Sequence, residues 1–339
     1  MAQALITTQD PQVARLSGAV ATRFELLSPQ VVCGTRRRFR HVKMHTLGAV
    51  YADDGRIGEI SMRSGGHGGD HVTALDPGIV PADQAALGRQ APLAGSSLFL
   101  GPFMNHYGHF ITESLSRCWL AVAGGTDAFD HYVFYPFLFN NGGIVVSEFH
   151  RHFFRLLGVP IERIHILREP ALFEHVVVPQ QLWVINSSCN AAMADLYARL
   201  RASRPQQPCV EKLFLSRKPP AASRFAATPA VERLFADRGF QIVYPEELPI
   251  AVQLDLYAGC RVMAGFSGSA MHSCLFASSG TLVIEVGDSR TRETTPPMQL
   301  ICNALTQLPY LYIPYRETER GAPDEDDIRN RLDAALRPL

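Results

Sequence analysis

What the sequence lacks narrows it first. No CxxC pair occurs, and the seven cysteines (Cys33, Cys118, Cys189, Cys209, Cys260, Cys274, Cys302) are odd in number and widely spaced. Neither a zinc ribbon nor a disulfide framework is indicated. There is no net charge: 32 Lys and Arg cancel 32 Asp and Glu, leaving no global field to gather nucleic acid or an anionic membrane. Charged residues make up only 19% of the chain, below the usual share of about a quarter. No apolar run reaches the roughly 18 residues of a membrane span. The opening "MAQALITTQDPQVARLSG" has no charged segment followed by a long apolar one, as a secretory signal would. No internal repeat occurs. These absences exclude histone-like, disordered and membrane-spanning classes and set the expectation of reduced thiols in a cytoplasmic protein.

What is present is a 339-residue chain, 47% hydrophobic, long enough for about two domains and a sizeable core. Residues 1–95 alternate short β-like runs ("QVVCG", "HVKMHTLGAVYAD") with Gly/Pro punctuation, the pattern of short strands and turns. From "SSLFLG" the rhythm becomes strand, loop, helix, through "HYVFYP", a helical "SEFHRHFFRLLG", "RIHIL", "HVVVP" and a helical "AAMADLYARLRAS". The polar, proline-bearing "SRPQQP" reads as a linker, placing a boundary between domains of 1–204 and 205–320. After it, "KLFLSR", "FQIVYP", "CRVMAG" and "TLVIEVG" read as strands separated by helices, with Gly239 stopping the first. Their apolar runs are continuous, as parallel strands covered on both faces require. The expectation is an α/β protein whose second half is a doubly wound, Rossmann-like sheet, with ligands outside the carboxyl ends of its strands. Residues 321–339 close the chain as a helix with acidic residues at its N-terminus.

Chemistry concentrates in three places. The stretch "NHYGHFITESLSRCWLA", residues 105–121, contains two histidines, a glutamate and an arginine but no lysine. On a helix at 100° per residue, Ile111, Leu115, Cys118, Trp119 and Val122 form a buried stripe, and His106, His109, Glu113 and Arg117 fall on the opposite side. His109–Glu113 and Glu113–Arg117 are i,i+4 neighbours able to tune each other's charge. A solvated face with an ordinary salt bridge is the plain alternative. Against it, solvated faces favour lysine, and this segment follows a strand's carboxyl end, where α/β sites form.

In "MAGFSGSAMH" a strand ends at Gly265, and Ser267, Gly268 and Ser269 lead into a helix. Small residues let backbone N–H groups approach an anion closely. A phosphate cradle is favoured over a nucleophile elbow, whose GxSxG pattern is broken by Ser269. In "LFLSRKPPAASR", Ser216 and Arg217 emerge from a strand's carboxyl end and Arg224 follows; arginine forks suit phosphate oxygens. Cradle and arginines on one sheet suggest a diphosphate ligand. Glu285, ending "TLVIEV", could accept hydrogen bonds from sugar hydroxyls or make an ordinary ion pair. "GGHGGDH" (His67, Asp70, His71) reads as a loop rather than a metal site. The basic run "RRRFRHVK" at 36–43 reads as a solvated strand and turn, with peripheral contact to an anionic surface as the minor reading.

Two of these blocks resemble glycosyltransferase family 61, in its bacterial surface-polysaccharide type. "NHYGHFITESLSR" is similar to the family's N-terminal motif of Asn, His, Glu and Arg. The stretch from "LFLSRK" through "GFQIVYPEEL" and "GFSGS" to "TLVIEV" is similar to its C-terminal block. The resemblance covers roughly residues 97–286, in order. It implies a GT-B architecture of two Rossmann-like domains facing a cleft, here with a β-rich N-terminal portion. It further implies inverting, metal-independent transfer from a nucleotide-sugar donor to a glycan or glycolipid acceptor, without a cofactor. On that footing Ser216, Arg217, Arg224, Ser267, Gly268, Ser269 and Glu285 are donor-side residues. His109, Glu113 and Arg117 are the catalytic group, and Asn105 and His106 line the acceptor side. Two departures stand out: many members have histidine where Ser267 stands, and an asparagine expected shortly after Arg224 is absent from "RFAAT". A serine hydrolase using the Gly265–Ser269 turn and an inactive nucleotide- or sugar-binding protein of the same fold remain the alternatives. A homo-oligomer is compatible with everything above.

Overall fold

The computed structural model describes residues 5–17, 20–26, 44–51, 93–137, 145–167, 171–202, 210–218, 228–288, 291, 293–316 and 324–337. The chain divides into two compact units, 1–196 and 197–339. The "SRPQQP" linker, the basic run at 36–43 and the His67–Asp70–His71 loop lie outside the described residues.

In chain order the first unit runs β1 (Ile6–Thr7), β2 (Val13–Ser17), β3 (Val20–Leu26), β4 (Met44–Tyr51), β5 (Leu93–Met104) and α1 (Tyr107–Thr112). A 3-10 turn (Ser114–Arg117), α2 (Trp119–Gly124), β6 (His131–Phe137), α3 (Glu148–Leu157), β7 (Ile164–Ile166) and β8 (Ala171–Pro179) follow. Then come β9 (Trp183–Val184), β10 (Ser188–Asn190) and α4 (Met193–Ala202), whose C-terminal turns belong to the second unit. The main sheet has the order β4-β3-β8-β5-β6-β7, with β2 also on β8, and β1-β10-β9 form a smaller one.

Strands β8, β5, β6 and β7 are parallel, whereas β2 and β3 join β8 antiparallel and β4 joins β3 antiparallel. The resemblance implies a second Rossmann-like domain here; the sheet found is mixed, because the early β-rich stretch adds antiparallel strands to a parallel core. Within β5 the residues Leu98, Phe99, Leu100, Phe103 and Met104 are all fully buried, as a strand covered on both faces should be. One face packs Phe99 and Met104 against Val133, Phe173 and Val176. On the other, Phe103, Phe110, Phe134 and Phe154 meet in edge-on and tilted pairs, the arrangement the ring quadrupole favours. Helix α3 is fixed against this cluster by a capping box. The backbone N–H of Ser147 donates to His150 Nδ1 at 3.1 Å, and left-handed Gly158 ends the helix.

The second unit contains β11 (Val210–Leu215), α5 (Thr228–Ala236), β12 (Gln241–Val243), α6 (Ile250–Gly259) and β13 (Cys260–Phe266). It continues through a 3-10 helix (Met271–Phe276), β14 (Leu282–Val286), α7 (Pro297–Thr306), β15 (Tyr310–Ile313) and α8 (Glu325–Leu336). All five strands are parallel in the order β12-β11-β13-β14-β15. Counted within the unit this is 2-1-3-4-5, a doubly wound order whose switch point falls between β11 and β13. The expected strands are all present. Helix α7 and strand β15 come in addition, and "SAMHSC" forms a 3-10 helix at Met271–Phe276 rather than an α-helix.

Phe214, Val262, Ala264, Ile284, Val286 and Ile313 cover one face with Leu234 and Phe235 of α5 and Ile328 and Leu332 of α8. The terminal helix, read from sequence as a separate segment, is thus part of this core. Its N-terminus is capped by Asp324, which accepts from the Asp327 N–H at 3.0 Å. Among the described residues the five free cysteines are all buried, and no helix is long and apolar enough to cross a membrane.

Candidate functional site

The first constellation sits where β5 ends. Asn105 and His106 are exposed and lead into α1. The sequence predicts one helix over 105–123 with Glu113 and Arg117 on its open face; the structure breaks that helix and buries both residues completely. The cause is a run of hydroxyl side chains that compete for backbone groups. Thr112 Oγ1 donates to Gly108 O at 2.7 Å and Ser116 Oγ to Glu113 O at 2.7 Å. The Met104 N–H donates to Ser114 Oγ at 3.0 Å. The chain tightens into the Ser114–Arg117 turn. At three residues per turn, four residues advance about 80° further than on an α-helix, so Arg117 rotates inward.

There its Nε donates to Pro179 O at 2.9 Å, and its guanidinium lies against Gly101. That glycine has φ 81, and a Cβ on it would strike Arg117 Nη1. Burial lowers the Arg117 pKa below the ordinary guanidinium value, with Tyr135 opposing. Arg117, expected on the side opposite the buried stripe, is therefore an interior residue bracing β5 against β8.

His109 and Glu113 do meet. His109 Nδ1 stands 2.5 Å from Glu113 Oε1, with the histidine side chain 25% exposed and the glutamate 0%. An ionised carboxylate only accepts, so it selects the tautomer with the proton on Nδ1 and leaves Nε2 as the acceptor of the ring. The His106 ring packs edge-on to His109, centroids 5.1 Å apart. The arrangement is a partly exposed imidazole backed by a buried carboxylate, a pair able to stabilise a proton taken up by the ring.

The second constellation lies at the switch point of the second unit. Arg217 follows β11, and Ser267, Gly268 and Ser269 follow β13. Gly268 has φ +141, and a Cβ there would strike Arg217 Nη2, so only glycine lets this guanidinium lie against the turn. Arg217, Gly268 and Ser269 are all partly exposed. Behind them, Gly265 admits Leu215 O and Met271 Sδ, each 2.8 Å from where its Cβ would be. A guanidinium beside a glycine-serine turn at a sheet's switch point can hold the oxygens of a diphosphate.

Three of the residues read as donor-side are placed differently. Ser216 is fully buried and donates through Oγ to Glu232. Ser267 is also fully buried, its Oγ donating to Glu285 Oε1 at 2.6 Å. Glu285 is fully buried too. Its other oxygen accepts from Tyr310 Oη, while desolvation raises its pKa against these two hydrogen bonds. Expected as a strand-terminal acceptor for sugar hydroxyls, Glu285 instead supports the turn from beneath. Arg224 lies outside the described residues.

The hydrolase alternative finds no catalytic pair in this turn. The Ser267 hydroxyl is committed to a carboxylate, and His272 Nδ1 bonds Gln299 Oε1 at 3.0 Å. Among the described residues no group of three or more His, Cys, Asp or Glu could hold a metal ion. Tyr310, Gln299 and Asn303, which stand under the turn, were not singled out from the sequence. The strand–helix alternation was read only as far as "TLVIEVG", and these residues lie beyond it.

The family model described as Glycosyltransferase 61 matches residues 107–284, from the first residue of α1 into β14 and more than half of the chain. Comparison with curated proteins gives no match. The matched span contains both constellations, the His109–Glu113 pair and the Arg217–Gly268 turn. The chain belongs to glycosyltransferase family 61 and is a glycosyltransferase, a catalyst that binds a sugar donor and an acceptor.

Proposed function

We propose that the protein is an inverting transferase that moves a sugar from a nucleotide-sugar to a hydroxyl of a glycan or glycolipid, in surface polysaccharide biosynthesis. The observation that carries this reading is the His109–Glu113 pair, 2.5 Å apart, with only the histidine reaching solvent. In a single displacement the acceptor oxygen attacks the anomeric carbon as the bond to the diphosphate breaks, and the acceptor's proton must go to a base. His109 Nε2 takes that proton, and Glu113 orients the ring and stabilises the imidazolium that forms, as a buried carboxylate does behind a catalytic histidine.

The leaving diphosphate carries its charge to Arg217 and to the backbone N–H groups of the Gly268–Ser269 turn, donors fixed before the reaction begins. With those donors meeting the developing charge, the transfer is read as independent of a metal ion. Asn105 and His106 flank the acceptor.

The test is a panel of UDP-, GDP- and CMP-sugars screened by thermal shift, followed by transfer assays with and without EDTA and NMR of the product's anomeric centre. Inversion with turnover unchanged by EDTA is the expected result. Retention of configuration, or activity that disappears with EDTA and returns with a divalent cation, would overturn the mechanism.

A further inference from the structure

The Ser267–His272 segment rests on partly buried polar contacts made by elements that follow the matched family span. Tyr310 opens β15 and points to the same side of the sheet as Glu285, because Glu285 pairs with Tyr312 across β14 and β15 and side chains alternate along a strand. Its hydroxyl donates to Glu285 Oε2 and pairs with Thr295 Oγ1 at 3.0 Å. Gln299 Nε2 donates to Asn303 Oδ1 at 2.9 Å, and Gln299 Oε1 meets His272 Nδ1 at 3.0 Å. Two sets of contacts thus hold the segment at two places. At one end Glu285 accepts from Ser267 Oγ. At the other, Gln299 holds His272, three residues after the partly exposed Ser269.

We propose that Tyr310 is a positioning residue for the Ser267–Ser269 turn, acting through Glu285 to hold the backbone N–H groups toward the donor's diphosphate. This rests on the reading of that turn as the diphosphate site. Glu285 has one oxygen accepting from the turn at Ser267 and the other accepting from Tyr310. Withdrawing the phenol hydroxyl frees the carboxylate to rotate toward Ser267 and Gly268, so the turn loses its fixed orientation without losing any of its own atoms. A residue that merely filled space would not act this way, since Tyr310→Phe keeps the ring.

The test uses inorganic pyrophosphate as the probe, titrated by calorimetry into the full-length parent, Tyr310→Phe, Glu285→Gln and the double variant. Ile313→Val, on the same strand but in the opposite core, serves as the control for general loosening. Tyr310→Phe should weaken pyrophosphate binding by about three- to thirtyfold, part of what one hydrogen bond to a charged group is worth. Ile313→Val should leave binding unchanged even where it lowers Tm as much. The double variant should bind no more weakly than Glu285→Gln alone, because the two residues act in series.

Unchanged binding by Tyr310→Phe overturns the inference while leaving the diphosphate reading intact, as does equal weakening by Ile313→Val. A parent that binds neither pyrophosphate nor any of UDP, GDP and CMP overturns both. Should Tyr310→Phe fail to fold, Thr295→Val, which removes the hydroxyl paired with the Tyr310 oxygen, must weaken pyrophosphate binding in the same direction or the inference is refuted.

Discussion

Exchanging one atom of Glu113 isolates its role. Glu113→Gln keeps the volume of a fully buried side chain and replaces a carboxylate oxygen by an N–H₂ or leaves the neutral carbonyl facing His109. The hydrogen bond of 2.5 Å changes from charge-assisted to neutral, and bonds to charged groups are worth about 1.5–3 kcal/mol. If that bond orients His109 and stabilises its protonated form, turnover should fall by roughly 10²–10⁴-fold, the usual contribution of a positioned base. His109→Ala should fall at least as far. The double variant should cost little more than the worse single one, since groups that act as a unit are non-additive. Loss of the same bond from the fold should lower Tm by about 3–12 °C for a unit of this size, so activity must be read below that transition. The assay is initial-rate transfer with the donor identified by thermal shift, at saturating donor and acceptor. If both singles keep turnover within about threefold of the parent, well short of a base's contribution, the base is elsewhere and this pair only shapes the wall of the acceptor side.

Further predictions follow from the second unit and from α3. Arg217→Ala should weaken nucleoside-diphosphate binding by about 1.5–3 kcal/mol, the worth of a hydrogen bond to a charged group; calorimetry showing unchanged affinity would exclude a phosphate contact. Gly268→Ala forces φ +141 on a residue with a Cβ and drives that carbon into Arg217. It should therefore cost about 1–3 kcal/mol of stability and also reduce diphosphate binding. Gly280→Ala, at φ +85 with open space around it, should lower only the urea midpoint. His150 is buried among Phe103, Phe110 and Phe149, and burial lowers its pKa to about 4. A depressed histidine favours folding above the unfolded pKa and loses that contribution as pH falls toward its folded value. Stability should therefore drop by roughly 3 kcal/mol between pH 6.5 and 4, and urea midpoints of His150→Gln should depend less steeply on pH across that window.

Sequence by itself determined the alternation of the second unit, because short apolar β-prone stretches alternating with helical segments bury best as parallel strands between helices. It also brought His109 to Glu113, since an i,i+4 pair inside one short helix needs no tertiary partner to meet. The Gly268–Arg217 juxtaposition was legible in part. Each residue ends a strand, and the sheet order that makes those strands neighbours is a tertiary fact.

What the sequence could not settle is which polar side chains face outward. The 105–123 helix was projected at a single pitch, but Thr112, Ser114 and Ser116 bond to backbone groups and tighten it, and the β5 bulge at Gly101 leaves room for Arg117 inside. On sequence alone Ser216, Ser267 and Glu285 read as ligand contacts, because they end strands where ligands bind. The packed sheet turns them inward instead, where Glu232 and Tyr310, distant in sequence, satisfy them. A buried polar atom must find a partner, and which partner is available is decided by packing alone; that is why the residues holding the turn from beneath became visible only in the tertiary structure.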